Sequence, residues 1–137
     1  MSWILTHSGR QFDLLAPTAA MISPHDIAHA LANLCRFNGH TREHYSVAQH
    51  SLIVCDLAPE KHQLSALIHD ATEAYLGDMT RPLKALMPEY RNAEQRVWIT
   101  ICDRFNIPQV LPESVIRAYM VALATERRDN TPANGST

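Results

Sequence analysis

No stretch of this sequence is apolar for long enough to span a membrane, because a bilayer core asks for about 20 consecutive apolar residues. The opening MSWILTHSGR lacks a basic region followed by a long apolar core, so no secretory leader is expected. The three cysteines, Cys35, Cys55 and Cys102, are odd in number, widely spaced and without a CxxC pair. That excludes an obvious disulfide framework and predicts buried free thiols in a reducing, cytoplasmic setting. An excess of positive charge is also missing: 12 Lys and Arg face 14 Asp and Glu, for a formal net charge of −2. The chain therefore has no electrostatic reason to bind duplex DNA or an anionic membrane, although a local basic pocket for a phosphate fits this balance. Charged residues are too few (19%) and hydrophobic ones too many (46%) for a disordered chain, and 137 residues suffice for one core. Internal repeats are absent.

What is present is mostly helical periodicity. Trp3 to Leu15 reads as a short hairpin, with WILT and QFDLL flanking a turn at Ser8-Gly9. Ser23, Pro24 and Asp26 open a first helix whose apolar positions Ile27, Leu31 and Leu34 run on toward Gly39. Ser46 and Gln49 form a capping box for a second helix reaching about Leu57. Pro59 opens a third that ends at Gly77. After a short segment around Pro82–Leu86, Pro88 opens a helix striped by Tyr90, Ala93, Val97, Ile101 and Phe105. Pro112 opens another that carries Val115, Tyr119, Ala122 and Glu126 on one face. The reading is an all-α domain of about five to six helices with a short N-terminal β-hairpin. It spans 1–128 as a single unit, with 129–137 expected as a mobile tail because RRDNTPANGST has no periodicity.

The chemistry concentrates in SALIHDATEAYLGDMTRPLK. On a continuous helix His69, Asp70 and Glu73 share one side, with His69 and Glu73 one turn apart. Burying that side costs several kcal/mol unless the groups are paired or bind a cation. Imidazole and carboxylate are both good ligands for a divalent metal. Gly77 can reverse the chain and return Asp78 to the site, and Arg81 and Lys84 follow as a phosphate-binding segment needs. One helix cannot complete a metal site. His50, in the apolar YSVAQHSLIV, is the best further ligand, with a satisfied core histidine as the alternative. His25 and His29, at i, i+4 in SPHDIAHAL, are a rival pair; no glutamate lies between them to act as a base. His7, His40, His44 and His62 stand in polar or loop contexts and read as surface residues, with a pocket-facing position as the alternative for His40 and His44.

Together, CRFNGHT, SVAQHS and LIHDATEAYLGDMTRPLK resemble the HD-domain phosphohydrolases, closest to the 5′-deoxynucleotidase branch and its phage relatives that hydrolyse deoxynucleoside triphosphates. The resemblance covers the chain from Trp3 to Asp129. It implies an HD-type helical bundle and one divalent metal ion (Zn, Co, Mn or Fe) held by His50, His69 and Asp70. It further implies Glu73 near an attacking water, Asp78 assisting, Arg36 and Lys84 on phosphate, and Phe37 walling the base or sugar. The implied partner is a small-molecule nucleotide, mono- or triphosphate, and a homo-oligomer is a further expectation.

The chain departs from that pattern at one position. Six residues before Thr125-Glu126, where the family supplies a last metal-ligand aspartate, this chain has Tyr119. A phenol, with an ordinary pKa near 10, is a poor ligand. Weaker metal binding is expected, with water, Glu126 or a phosphate oxygen filling the gap. The alternative is a domain that has lost turnover and binds a nucleotide or a protein partner.

Overall fold

The computed structural model describes residues 1–132. Its hairpin is β1 (Trp3–Leu5) against β2 (Gln11–Asp13), antiparallel, with Ile4 opposite Phe12. Gly9, at a φ of 86°, turns the chain between them. Two strands are marginal alone. Here Phe12 is fully buried and stacks on Tyr75, ring centroids 3.9 Å apart. Asp26 provides the second anchor, accepting from both the backbone N–H and the hydroxyl of Ser8.

Helix α1 (Pro24–Asn33) opens on Ser23, whose hydroxyl accepts from the Asp26 amide, with Pro24 first. It stops well short of Gly39. Leu34 is extended, and its carbonyl accepts from the Val47 amide, while Arg36 N–H donates to the Tyr45 carbonyl. This long-range pairing, with a bridge between Cys35 and Ser46, takes over the backbone groups that another helical turn would use. Phe37 and Asn38, both at left-handed φ, turn the intervening loop.

Helix α2 (Val47–Leu57) has the reciprocal capping box between Ser46 and Gln49. Its buried positions are Val47, His50, Ser51 and Val54, so a histidine shares the inward stripe. Val47 joins a core built with Phe12, Ile27, Leu31, Ile68, Tyr75, Val97 and Ile101. Val54 joins a second with Ala66, Val115, Ala118 and Ala122.

The expected helix from Pro59 to Gly77 is broken. A 3-10 turn at Glu60–His62 leads into α3 (Gln63–Leu67), a run of turns follows, and α4 (Glu73–Leu76) ends at Gly77. Across the turns and into α4 four amides bond three residues back: Ala71 to Ile68, Glu73 to Asp70, Ala74 to Ala71 and Tyr75 to Thr72. At the break the Ala66 carbonyl accepts both from the ring Nδ1 of His69, at 2.6 Å, and from the His69 amide, so the side chain shares an acceptor with the tightened turn. Three residues per turn then bring Asp70, rather than His69, in line with Glu73.

The short α5 (Arg81–Lys84) precedes α6 (Pro88–Phe105) and α7 (Glu113–Asn130). Val97 and Ile101 of α6 are fully buried, as are Val115, Ala122 and Glu126 of α7. The described chain is thus mostly helical with one hairpin: four helices of ten residues or more and three short ones. Helix α7 continues through Arg127 to Asn130, past the point where the tail was expected to begin. Arg42 ends it, donating from its backbone to the Asn130 carbonyl and from its side chain to that of Asp129. Residues 133–137 of the expected tail lie outside the described residues. Cys102 is buried as expected, whereas Cys35 and Cys55 are only half-buried; all three are free. Among the described residues no helix is long and apolar enough to cross a membrane.

Candidate metal centre

His50 enters from the first turn of α2, whose cap fixes the helix start and hence the ring's direction. His69 and Asp70 come from the turns after α3. Nε2 of His50 lies 3.3 Å from Nε2 of His69 and 3.3 Å from Oδ2 of Asp70, and Nε2 of His69 lies 3.1 Å from the same oxygen. Three potential ligand atoms therefore form a nearly equilateral triangle.

The far side of each ring settles which atom bears the hydrogen. His69 Nδ1 faces the Ala66 carbonyl, which can only accept, so Nδ1 donates. His50 Nδ1 faces the Glu126 carboxylate at 2.8 and 3.0 Å and donates likewise. In the neutral rings both Nε2 atoms are then bare lone pairs, aimed at one another and at a carboxylate oxygen. Three acceptors within 3.3 Å with no donor among them repel unless a positive charge is shared between them. A divalent ion supplies that charge. Bonds of about 2.0–2.2 Å to nitrogen and oxygen put neighbouring ligands about 2.8–3.6 Å apart. The observed triangle matches, and a ring nitrogen donating outward to a carbonyl or carboxylate is what orients metal-binding imidazoles. Among the described residues, His50, His69 and Asp70 are the group of three such side chains close enough to share an ion.

The electrostatics agree. Burial alone would lower the pKa of His50, but the Asp70 and Glu126 carboxylates outweigh it and raise the value. Burial would raise that of Asp70, yet the imidazoles of His69 and His50 hold it well below the ordinary carboxylate range. Glu73 behaves oppositely. Burial first, then the Asp70 and Asp78 carboxylates, push it up to about 11, so it holds its proton at neutral pH. A cation on the adjacent triangle would act against that shift.

The triangle opens on a cavity of about 570 Å³, within the range of small-molecule sites. His69, Asp70, Glu73 and Asp78 line it, together with Arg36, Phe37 and Lys84. All the expected site residues thus surround one cavity, except that His50 lies fully buried behind it. Two of the basic groups are engaged elsewhere. Arg36 Nη2 donates to Glu126 Oε1 at 3.0 Å and its guanidinium lies 5.0 Å from the Phe37 ring. Lys84 Nζ bonds Glu94 at 2.9 Å.

Tyr119 stands edge-on to both imidazoles, at centroid distances of 5.5 and 5.7 Å, and its hydroxyl accepts from Arg81 at 2.8 Å. It is a wall of the site, with its oxygen held by α5. The rival His25 and His29 are both exposed, and His29 stacks on His7 instead. Sequence reasoning underrated Glu126, whose signal was an acid in the apolar stripe of α7. It missed Tyr45, which donates its hydroxyl to Glu126 and which no spacing marks.

No protein-family model matches the chain. It is 42% identical over 136 residues to the uncharacterized protein YfdR of Escherichia coli (strain K12), covering 99% of this chain and 76% of that protein. It is also 42% identical over 131 residues to the uncharacterized protein RCAP_rcc00048 of Rhodobacter capsulatus, covering 88% of this chain and 67% of that protein.

Proposed function

Because the chain belongs to the same family as the uncharacterized proteins YfdR and RCAP_rcc00048, its activity has to be read from its own site, and we propose a metal-dependent phosphohydrolase of the HD-domain type that cleaves the phosphate ester of a nucleotide. The observation that carries the reading is the convergence of three lone pairs, from His50, His69 and Asp70, beside a nucleotide-sized cavity. These residues would hold a Zn, Co, Mn or Fe ion. Such an ion, when bound, polarises a phosphoryl oxygen and lowers the pKa of a coordinated water.

The remaining steps belong to the chain. Glu73, once its proton is released, orients the attacking water and takes a proton from it, and Asp78 shares that proton. Arg81 and Arg127 line the cavity and balance phosphate charge together with Lys84. Arg36, tied to Glu126, adds positive potential near the phosphate. Phe37, a half-buried ring on the same wall, brackets the nucleoside.

Phosphate release from deoxynucleoside mono- and triphosphates, measured with Mn²⁺, Co²⁺ or Zn²⁺, tests this. Release by the wild type and its loss in His69→Ala and Asp70→Ala are expected. Equal release by all three proteins overturns the assignment. The position of Tyr119 favours a second reading, a nucleotide binder without turnover, since its hydroxyl is committed to Arg81 and brings no fourth ligand. Saturable nucleotide binding without phosphate release would select it.

A further inference from the structure

The geometry points to Glu126 as the positioning residue that keeps His50 in its metal-binding tautomer and so sets how tightly the centre takes a divalent cation. This rests on the metal-binding half of the reading above and needs no hydrolysis.

Glu126 is 1% exposed, and a carboxylate so buried persists only when fully paired. Three donors reach it: Arg36 Nη2 and the Tyr45 hydroxyl, one on each oxygen, and His50 Nδ1, which lies 3.0 and 2.8 Å from the two. Arg36 and Tyr45 are themselves locked together, Arg36 N–H donating to the Tyr45 carbonyl at 2.7 Å beside the Cys35–Ser46 bridge. The clamp on Glu126 is therefore one paired segment of loop, and Glu126 in turn grips α2 through His50. Moving the hydrogen of His50 to Nε2 would turn the Nδ1 lone pair onto two carboxylate oxygens. Only the Nδ1–H form fits, and it leaves the Nε2 lone pair facing His69 and Asp70. With three protein ligands in the set, the quality of each matters, and the outer carboxylate both orients the ring and strengthens it as a donor to the ion.

The discriminating variant is Glu126→Gln, which keeps shape but offers one carbonyl oxygen to three donors, so at least one must meet an amide NH₂. Zn²⁺ affinity is read by competition with a chromophoric chelator, and the tautomer of His50 by long-range ¹H–¹⁵N correlation on the metal-free full chain. Wild type is expected to show His50 as the Nδ1–H form. Glu126→Gln is expected to bind Zn²⁺ about 10–100-fold more weakly, with part of His50 shifted to the Nε2–H form and helical circular dichroism unchanged. Tyr45→Phe, which keeps the carboxylate–imidazole pair, is expected to lose less. Unchanged Zn²⁺ affinity in Glu126→Gln overturns the assignment. So does an Nε2–H form of His50 in the wild type, a result that stands even where the Gln variant does not fold. Weaker Zn²⁺ binding in Glu126→Gln supports it even when the wild type releases phosphate from no nucleotide, an outcome that refutes the hydrolase reading alone. A wild type that binds no Zn²⁺ overturns both.

Discussion

The lone-pair triangle makes an unusual prediction about Asp70→Asn. In the wild type, stripped of metal and above the imidazole titration, three acceptors face one another at 3.1–3.3 Å. The substituted amide places an NH₂ at the same point, with two N–H bonds for two Nε2 lone pairs. Two hydrogen bonds at a net value of about 1 kcal/mol each contribute roughly 2 kcal/mol. An unfolding entropy of about 2.1 cal/mol/K per residue over the 137 residues is about 0.29 kcal/mol/K, so the variant should melt about 7 °C higher than the wild type in chelator near pH 9. Adding Co²⁺ reverses the order. At a hundredfold excess over Kd the wild type gains about 2.7 kcal/mol, or about 9 °C, whereas the variant has lost its anionic ligand and should gain little. Thermal melts followed by circular dichroism at 222 nm, with and without metal, measure both effects. A variant less stable than the wild type in chelator, or one that responds to Co²⁺ as strongly, would show that the three atoms do not meet as bare acceptors.

The same pair predicts a pH dependence. The pKa of His50 is raised above 6.5, so the proton contributes stability that is complete below about pH 6.5 and is lost as pH rises through the folded value. In chelator the wild type should therefore lose stability from about pH 6.5 upward relative to Asp70→Asn; parallel pH profiles for the two would refute the coupling. In the hairpin, Phe12→Ala removes a fully buried ring stacked on Tyr75 and should cost about 3–5 kcal/mol, lowering Tm by about 10–17 °C. Since Tyr75 shares α4 with Glu73, that variant should also loosen the site, and a Tm drop under about 3 °C would mean the hairpin is not a structural anchor.

Local chemistry made much of this fold legible. Ser8-Gly9 between two alternating runs was enough for the hairpin, Ser46 and Gln49 for the start of α2, and the stripes of α6 and α7 for their buried faces, because a turn, a cap and a helical face each depend on residues within a few positions. The cluster of His50, His69 and Asp70, which could hold a metal ion, was legible for a related reason: ionisable side chains in apolar stretches require partners. Three features were not. Helix α1 stops at Asn33 because Leu34 and Arg36 pair with residues 45–47. Helix α7 outlasts its own periodicity because Arg42 donates to its last carbonyls. Arg36 and Lys84, free cations in the sequence, each have a carboxylate partner, in Arg36's case 90 residues away.

The chain's composition, caps and periodicities decided that this is a mostly helical protein and which side chains need explaining, since those properties are set by neighbours along the backbone. Tertiary structure alone decided how the explanation works. It buried Glu126 behind His50, 76 residues away in sequence. That contact fixes the hydrogen on Nδ1 of His50, a tautomer that depends on what lies across the fold, whereas the Ala66 carbonyl that holds His69 is a neighbour along the chain.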